Sequence, residues 1–176
     1  MESDGVLLSI AEVAIALAGF GGLVTGLGYR ARGVWTAADQ GRLLVSASIS
    51  LAVVFGCLLP YVVHHLGALA PWRVASLAFL PAPAAFFLLQ IWVNLRGVPA
   101  EFSKVAAVLI TLMQLIAIVL LTITALGRAA SHGLGFYLAA VLSMLFAAAV
   151  LFLRLLITSF RDESPAASTA TQASAD

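Results

Sequence analysis

The stretch IAEVAIALAGFGGLVTG, residues 10–26, decides the fold class, and Glu12 is its only charged residue. Outward from it, apolar and small residues continue from Val6 to Gly28. At 1.5 Å rise per residue such a segment is about 34 Å long, enough to cross the roughly 30 Å hydrocarbon core of a bilayer. Four further segments share this character: 43–66, 74–95, 105–127 and 134–160. Buried strands of soluble proteins are far shorter, and the alternating pattern of an outer-membrane barrel is absent. Only helices satisfy their own backbone hydrogen bonds in lipid. The reading is an all-α integral membrane protein, a single domain over residues 1–161 made of five transmembrane helices at about 6–28, 43–66, 74–95, 105–127 and 134–160.

Composition agrees. Hydrophobic residues make up 62% of the 176 and charged residues 10%, against about 25% charged in an ordinary soluble domain. A chain this short could not hide that much apolar surface in a soluble core. The net charge of +1 comes with no basic patch, so no nucleic-acid partner is expected. Cys57 stands alone and mid-segment, without the basic neighbours that make a thiolate reactive. Eight arginines to one lysine, with abundant Ala, Gly and Leu, point to a GC-rich bacterial genome.

The connections 29–42, 67–73, 96–104 and 128–133 are too short for an extramembrane domain. Ala70–Pro71 and Gly97–Val98–Pro99 are turn signals. Residues 162–176 are small and polar and are expected to form a disordered cytoplasmic tail. The acidic start MESDG and the length of the first apolar run argue for a retained helix rather than a cleaved signal peptide. Pro81 and Pro83 predict a kink in the third span. With five spans, Arg30, Arg32, Arg42, Arg96, Lys104, Arg154 and Arg161 fall on one side, and Arg73 and Arg128 on the other. The positive-inside rule then places the N-terminus outside and the C-terminus in the cytoplasm, in the cytoplasmic (inner) membrane. Trp72, Trp92 and Tyr137 fit interface anchors, and Arg154 fits a snorkelling position.

Ala14, Ala18, Gly22 and Gly26 recur every four residues. This small-xxx-small row allows close helix packing, and Glu12, Ala16 and Gly19 share a second stripe, so the first helix looks central, packed tightly within the bundle or against copies of itself. Glu12, counted from the outer end of its segment, lies about 9 Å deep. An acid at such depth is a functional-site hypothesis by default, and it should face protein or water. Tyr61 lies at nearly that depth on the second span, with His64 and His65 just above and His132 in the last outer loop. A Tyr61 or His64 hydrogen bond to Glu12 is therefore expected. Gln114 is the polar residue nearest mid-membrane, and Glu12, Tyr61, His64 and Gln114 form the candidate ion pathway or buried polar set. The residue types Glu12, His64, His65 and His132 suit a transition metal, but no HExxH or CxxC spacing occurs, and no metal or cofactor is expected. No nucleophile–base set or acid pair is present, so no enzyme is expected. The expected function is a structural, accessory or partner-binding membrane subunit, with membrane lipid and either a second copy or another membrane protein as partners. The alternative is a homo-oligomeric cation channel with Glu12 at its outer mouth.

Overall fold

The computed structural model describes residues 2–32, 37–95, 104–128 and 132–161. The tail 162–176 and the turn Gly97–Val98–Pro99 lie outside them. Every element among the described residues is a helix: α1 (Glu2–Arg32), α2 (Ala37–His65), α3 (Pro71–Phe79), α4 (Pro81–Leu95), α5 (Lys104–Ala125) and α6 (Gly133–Arg161). Among these residues five stretches are long and apolar enough to cross a membrane: Gly5–Val24, Leu43–His65, Pro71–Val93, Ala106–Ala125 and Gly133–Arg154. The third of them consists of α3 and α4, broken at Leu80. Pro81 and Pro83 have no N–H to donate back along the helix, which is the expected origin of such a break. The hydrogen bonds Leu80 N–H to Ser76 O (2.9 Å) and Ala84 N–H to Leu80 O (3.3 Å) carry the chain through it.

The central element is α6, not α1. Tyr137, Val141, Met144, Ala148 and Leu151 are buried at alternating four- and three-residue intervals, and Ala140 and Ala147 are buried beside them. That spacing keeps one helix face turned to its neighbours over the whole length, and the alanines let them come close. α1, α2, α3 and α5 all pack on α6, while α4 packs on α5. α1 touches this core with one stripe only, Leu7, Ile10, Ala11, Ala14 and Gly21. The row Ala14, Ala18, Gly22, Gly26 accordingly runs from the core to the outside: Ala14 is buried, Ala18 half-buried, and Gly22 and Gly26 exposed. A four-residue step overshoots a 3.6-residue turn by about 40°, so such a row rotates steadily around its helix.

One joint ties α2, α3 and α6 together. Pro60 lies inside α2 and is buried. It cannot donate to the carbonyl four residues back, that of Gly56. The Tyr137 hydroxyl donates to that carbonyl instead, at 2.5 Å. Tyr137 is therefore a core residue, with none of its surface exposed, rather than an interface anchor. Its ring packs at 5.9 Å from Trp72 and 6.2 Å from Phe79. Gly56 is required here because a Cβ would lie 2.7 Å from Phe79 Cζ.

The helix ends at this side of the bundle are closed by two glycines. Gly67 (φ 77°) and Gly127 (φ 72°) adopt the left-handed conformation that only glycine takes freely. Each sits in a Schellman motif: Gly67 N–H to His64 O and Ala68 N–H to Val63 O close α2, and Gly127 N–H to Thr124 O and Arg128 N–H to Ile123 O close α5. Arg73 Nε donates to Ala125 O at 3.1 Å, placing a cation at the negative end of α5.

Tyr137→Phe removes the hydroxyl and leaves the Gly56 carbonyl unpaired, at an expected cost of about 1–3 kcal/mol. Gly56→Ala forces Phe79 to move and is expected to destabilise as well. Unfolding of both variants against wild type in mixed micelles measures these losses, and equal stability of Tyr137→Phe would show that the hydrogen bond contributes nothing.

Candidate functional site

α1 has a second face. Ser9, Glu12, Ala16, Gly19, Leu23 and Gly26 follow a strict three–four spacing, and all six are exposed. This is the a/d spacing of a helix–helix seam, running about 26 Å along the helix. Gly19, Gly22 and Gly26 have no atom within 4 Å of where a Cβ would stand. Packing among the described residues therefore gives no reason for these glycines, in contrast to Gly56. Elsewhere the exposed surfaces carry bulky aliphatic and aromatic side chains: Leu51 and Phe55 on α2, Leu112 and Leu115 on α5, Leu142 and Phe146 on α6. An open groove of about 450 Å³ borders the seam, with Ser9, Ile10 and Val13 on the α1 side and Leu142 and Leu145 on the α6 side.

Contacts between helices fix the depth of Glu12. The position of a Gly21 Cβ lies 3.6 Å from Leu43 Cδ1 and 3.8 Å from Phe152 Cδ2. Nine residues along α1 from Gly21 reach Glu12, whereas Tyr61 is 18 residues along α2 from Leu43. Tyr61 therefore lies about 13 Å beyond Glu12 along the bundle axis, out of hydrogen-bonding reach, and His64 lies farther still. Aligning the outer ends of the first two spans puts them at one depth only because it ignores the stagger of α2 against α1. Counting nine residues back along α6 from Phe152 puts Glu12 level with Ser143, near the middle of the Gly133–Arg154 stretch. Glu12 thus lies level with the middle of the apolar stretches rather than near their ends.

The other candidates are dispersed. Tyr61 is 58% exposed. Its ring centroid stands 4.2 Å from that of His65, and His65 Nδ1 lies 2.9 Å from Tyr61 O. His64 is exposed at the same helix end, its ring 6.0 Å from that of His65. His132 packs near Phe136. Among the described residues no group of three His, Cys, Asp or Glu is placed to hold a metal ion. Gln114 is 2% exposed, and its Oε1 has no hydrogen-bond partner among the described residues. Contacts of a Gly133 Cβ position with Thr124 Cγ2 (3.8 Å) and Trp72 Cβ (3.6 Å) set α5 and α6 in register. Ten residues on from each, Gln114 and Ser143 share the depth of Glu12. Gln114 is inside the bundle, however, and Glu12 is on its surface. The site is thus a face, the outer seam of α1, with one ionisable group a turn from its Ser9 end. Among the described residues Glu12 makes no hydrogen bond or ion pair.

Sequence reasoning missed Pro60 and Gly56, although a proline four residues after a glycine inside an apolar span is a readable signal. It grouped Ala14, Ala18, Gly22 and Gly26 by fours and put Glu12, Ala16 and Gly19 on a second stripe; that second stripe, continued to Ser9 and Gly26, is the open face.

If the seam serves contacts outside the chain, Gly19→Leu and Gly22→Leu should leave the isolated monomer as stable as wild type to within about 0.5 kcal/mol, or raise its stability through better helix propensity. Thermal unfolding of dilute protein in detergent tests this, and a large loss would show instead that these glycines pack within the chain. No family model, curated protein or solved structure matches the chain.

Proposed function

We propose that this chain is a non-catalytic, multi-pass subunit of the bacterial cytoplasmic membrane, which works by associating with other membrane helices through the outer seam of α1. One observation carries the reading. Glu12 stands at mid-depth on an exposed face, in line with small residues that the chain's own packing does not use. In hydrocarbon an ionised carboxylate on such a surface costs a few kcal/mol, and such residues almost always face protein or water. Small residues in a seam let a neighbouring backbone approach closely and gain dispersion contacts. The asymmetry of cationic residues supports an orientation with the N-terminus outside and the C-terminus cytoplasmic.

The exposed position of Glu12 also favours a second reading, a homo-oligomeric cation channel. If several copies gathered α1 around one axis, the acidic side chains would form a ring of the kind that selects cations. By the helix register, that ring lies mid-membrane rather than at the outer mouth.

Two measurements test these readings. Energy transfer between donor- and acceptor-labelled protein in liposomes should report association in wild type and a marked loss in Gly19→Leu, where bulk separates the seam. Absence of association in wild type at any protein-to-lipid ratio would defeat association between copies of this chain. Cation flux into the same liposomes decides between subunit and channel. The subunit reading expects flux indistinguishable from that of empty liposomes, and flux abolished by Glu12→Gln would establish the channel. For orientation, a reporter active only outside the cytoplasm should be silent when fused after Asp176.

A further inference from the structure

Resting on the association proposed above, we infer that the occupant of the seam is the α1 helix of a second copy, running parallel and in register, with the two Glu12 side chains hydrogen-bonded to each other. The argument is one of depth. Copies inserted with the same orientation touch through residues at like depth, so Glu12 can meet only what the second copy displays near its own level. Within about one helical turn of that level, the exposed side chains of the other elements are apolar, among them Phe55 on α2, Ala85 on α4, Leu112 and Leu115 on α5, and Leu142 and Phe146 on α6. Docking Glu12 on any of these faces would bury a polar group without a partner, which is costly. The exposed polar side chains at that depth are Glu12 itself and Ser9, one turn away on the same face. Ser48 on α2 and Thr111 on α5 are half-buried at that depth, so among contacts between two copies the α1–α1 contact is the one that offers Glu12 a fully exposed hydrogen-bond partner.

Geometry supports the same pairing. A two-fold axis parallel to the membrane normal sets residue against like residue, so Glu12 faces Glu12, and Ala16 and Gly19 face their counterparts. The three–four spacing from Ser9 to Gly26 suits the shallow left-handed crossing of parallel helices. The small side chains allow the close approach that a carboxyl–carboxyl hydrogen bond needs. In that bond a protonated carboxyl of one copy donates to the carboxyl of the other, since two ionised carboxylates at contact distance repel.

Cysteine cross-linking in membranes tests this on the full chain. The starting protein is Cys57→Ala, with single cysteines placed at Ala16, at Gly19 and, as controls on other exposed faces, at Phe55 and Leu115. Oxidation should give disulfide-linked dimers from Ala16→Cys and Gly19→Cys and none above background from the controls. Adding Glu12→Gln, which keeps a side chain able to pair with its counterpart, should preserve the cross-link. Adding Glu12→Leu should shift the monomer–dimer equilibrium about tenfold toward monomer, the effect of losing one interhelical hydrogen bond. Cross-linking from Phe55→Cys or Leu115→Cys but not from the α1 positions would overturn the proposal. So would an unchanged equilibrium in Glu12→Leu. Energy transfer read on the same samples separates the two levels. Association in wild type without α1 cross-links would mean that another face or another protein meets the seam. No association at all would defeat self-association by any face, this proposal included.

Discussion

In an apolar surrounding, every backbone carbonyl and amide must find a partner within the protein, because no solvent can supply one. Prolines inside the helices of this chain break that pairing at fixed places, and much of the architecture answers the resulting deficit. The Gly56 carbonyl, left without its donor by Pro60, is met by the hydroxyl of Tyr137 from α6. The tyrosine can be there only because α6 carries it at the end of a buried stripe, and Phe79 can lie over α2 only because residue 56 has no side chain. Four residues on three helices, Gly56, Pro60, Phe79 and Tyr137, thus meet around one missing N–H. The same logic shapes the third apolar stretch, where two prolines divide α3 from α4, and Gln90 Nε2 donates to Thr111 Oγ1 and Ala107 O to fasten α4 to α5.

With α6 occupying the centre, α1 is left with two different faces. One is packed through Leu7, Ile10, Ala11 and Ala14 against the bundle. The other interleaves an acid and small residues with larger apolar ones, and nothing among the described residues covers it. Surfaces made to meet lipid look like those of α2, α5 and α6, studded with leucine, valine and phenylalanine. The outer face of α1 carries such residues too, Val13, Ile15, Phe20 and Leu23, but interleaves them with Glu12, Ala16 and Gly19. That contrast within one molecule is the physical basis for reading α1 as an association helix.

Much of this architecture was legible in the residues. Five apolar stretches separated by short connections specify helices of a given length, since hydrocarbon thickness and backbone hydrogen bonding leave little choice. The break at Pro81 and Pro83 was equally legible, because proline acts through its own missing donor. Glu12 could be singled out from the cost of an acid among apolar neighbours, whatever its surroundings.

What the residues alone did not decide was how the helices stand against one another. Hydropathy gives each span its limits but not its stagger or rotation, because a helix can slide or turn by a few residues and remain equally apolar. The sequence therefore suggested Tyr61 and His64 as neighbours of Glu12, whereas the stagger of α2 separates them by about 13 Å or more. It suggested α1 as the central helix, whereas packing of side chains three and four residues apart gave that place to α6. Which side of Glu12 faces the bundle, and which stands open, depends on the summed fit of whole helix faces, and only the tertiary structure fixes that sum.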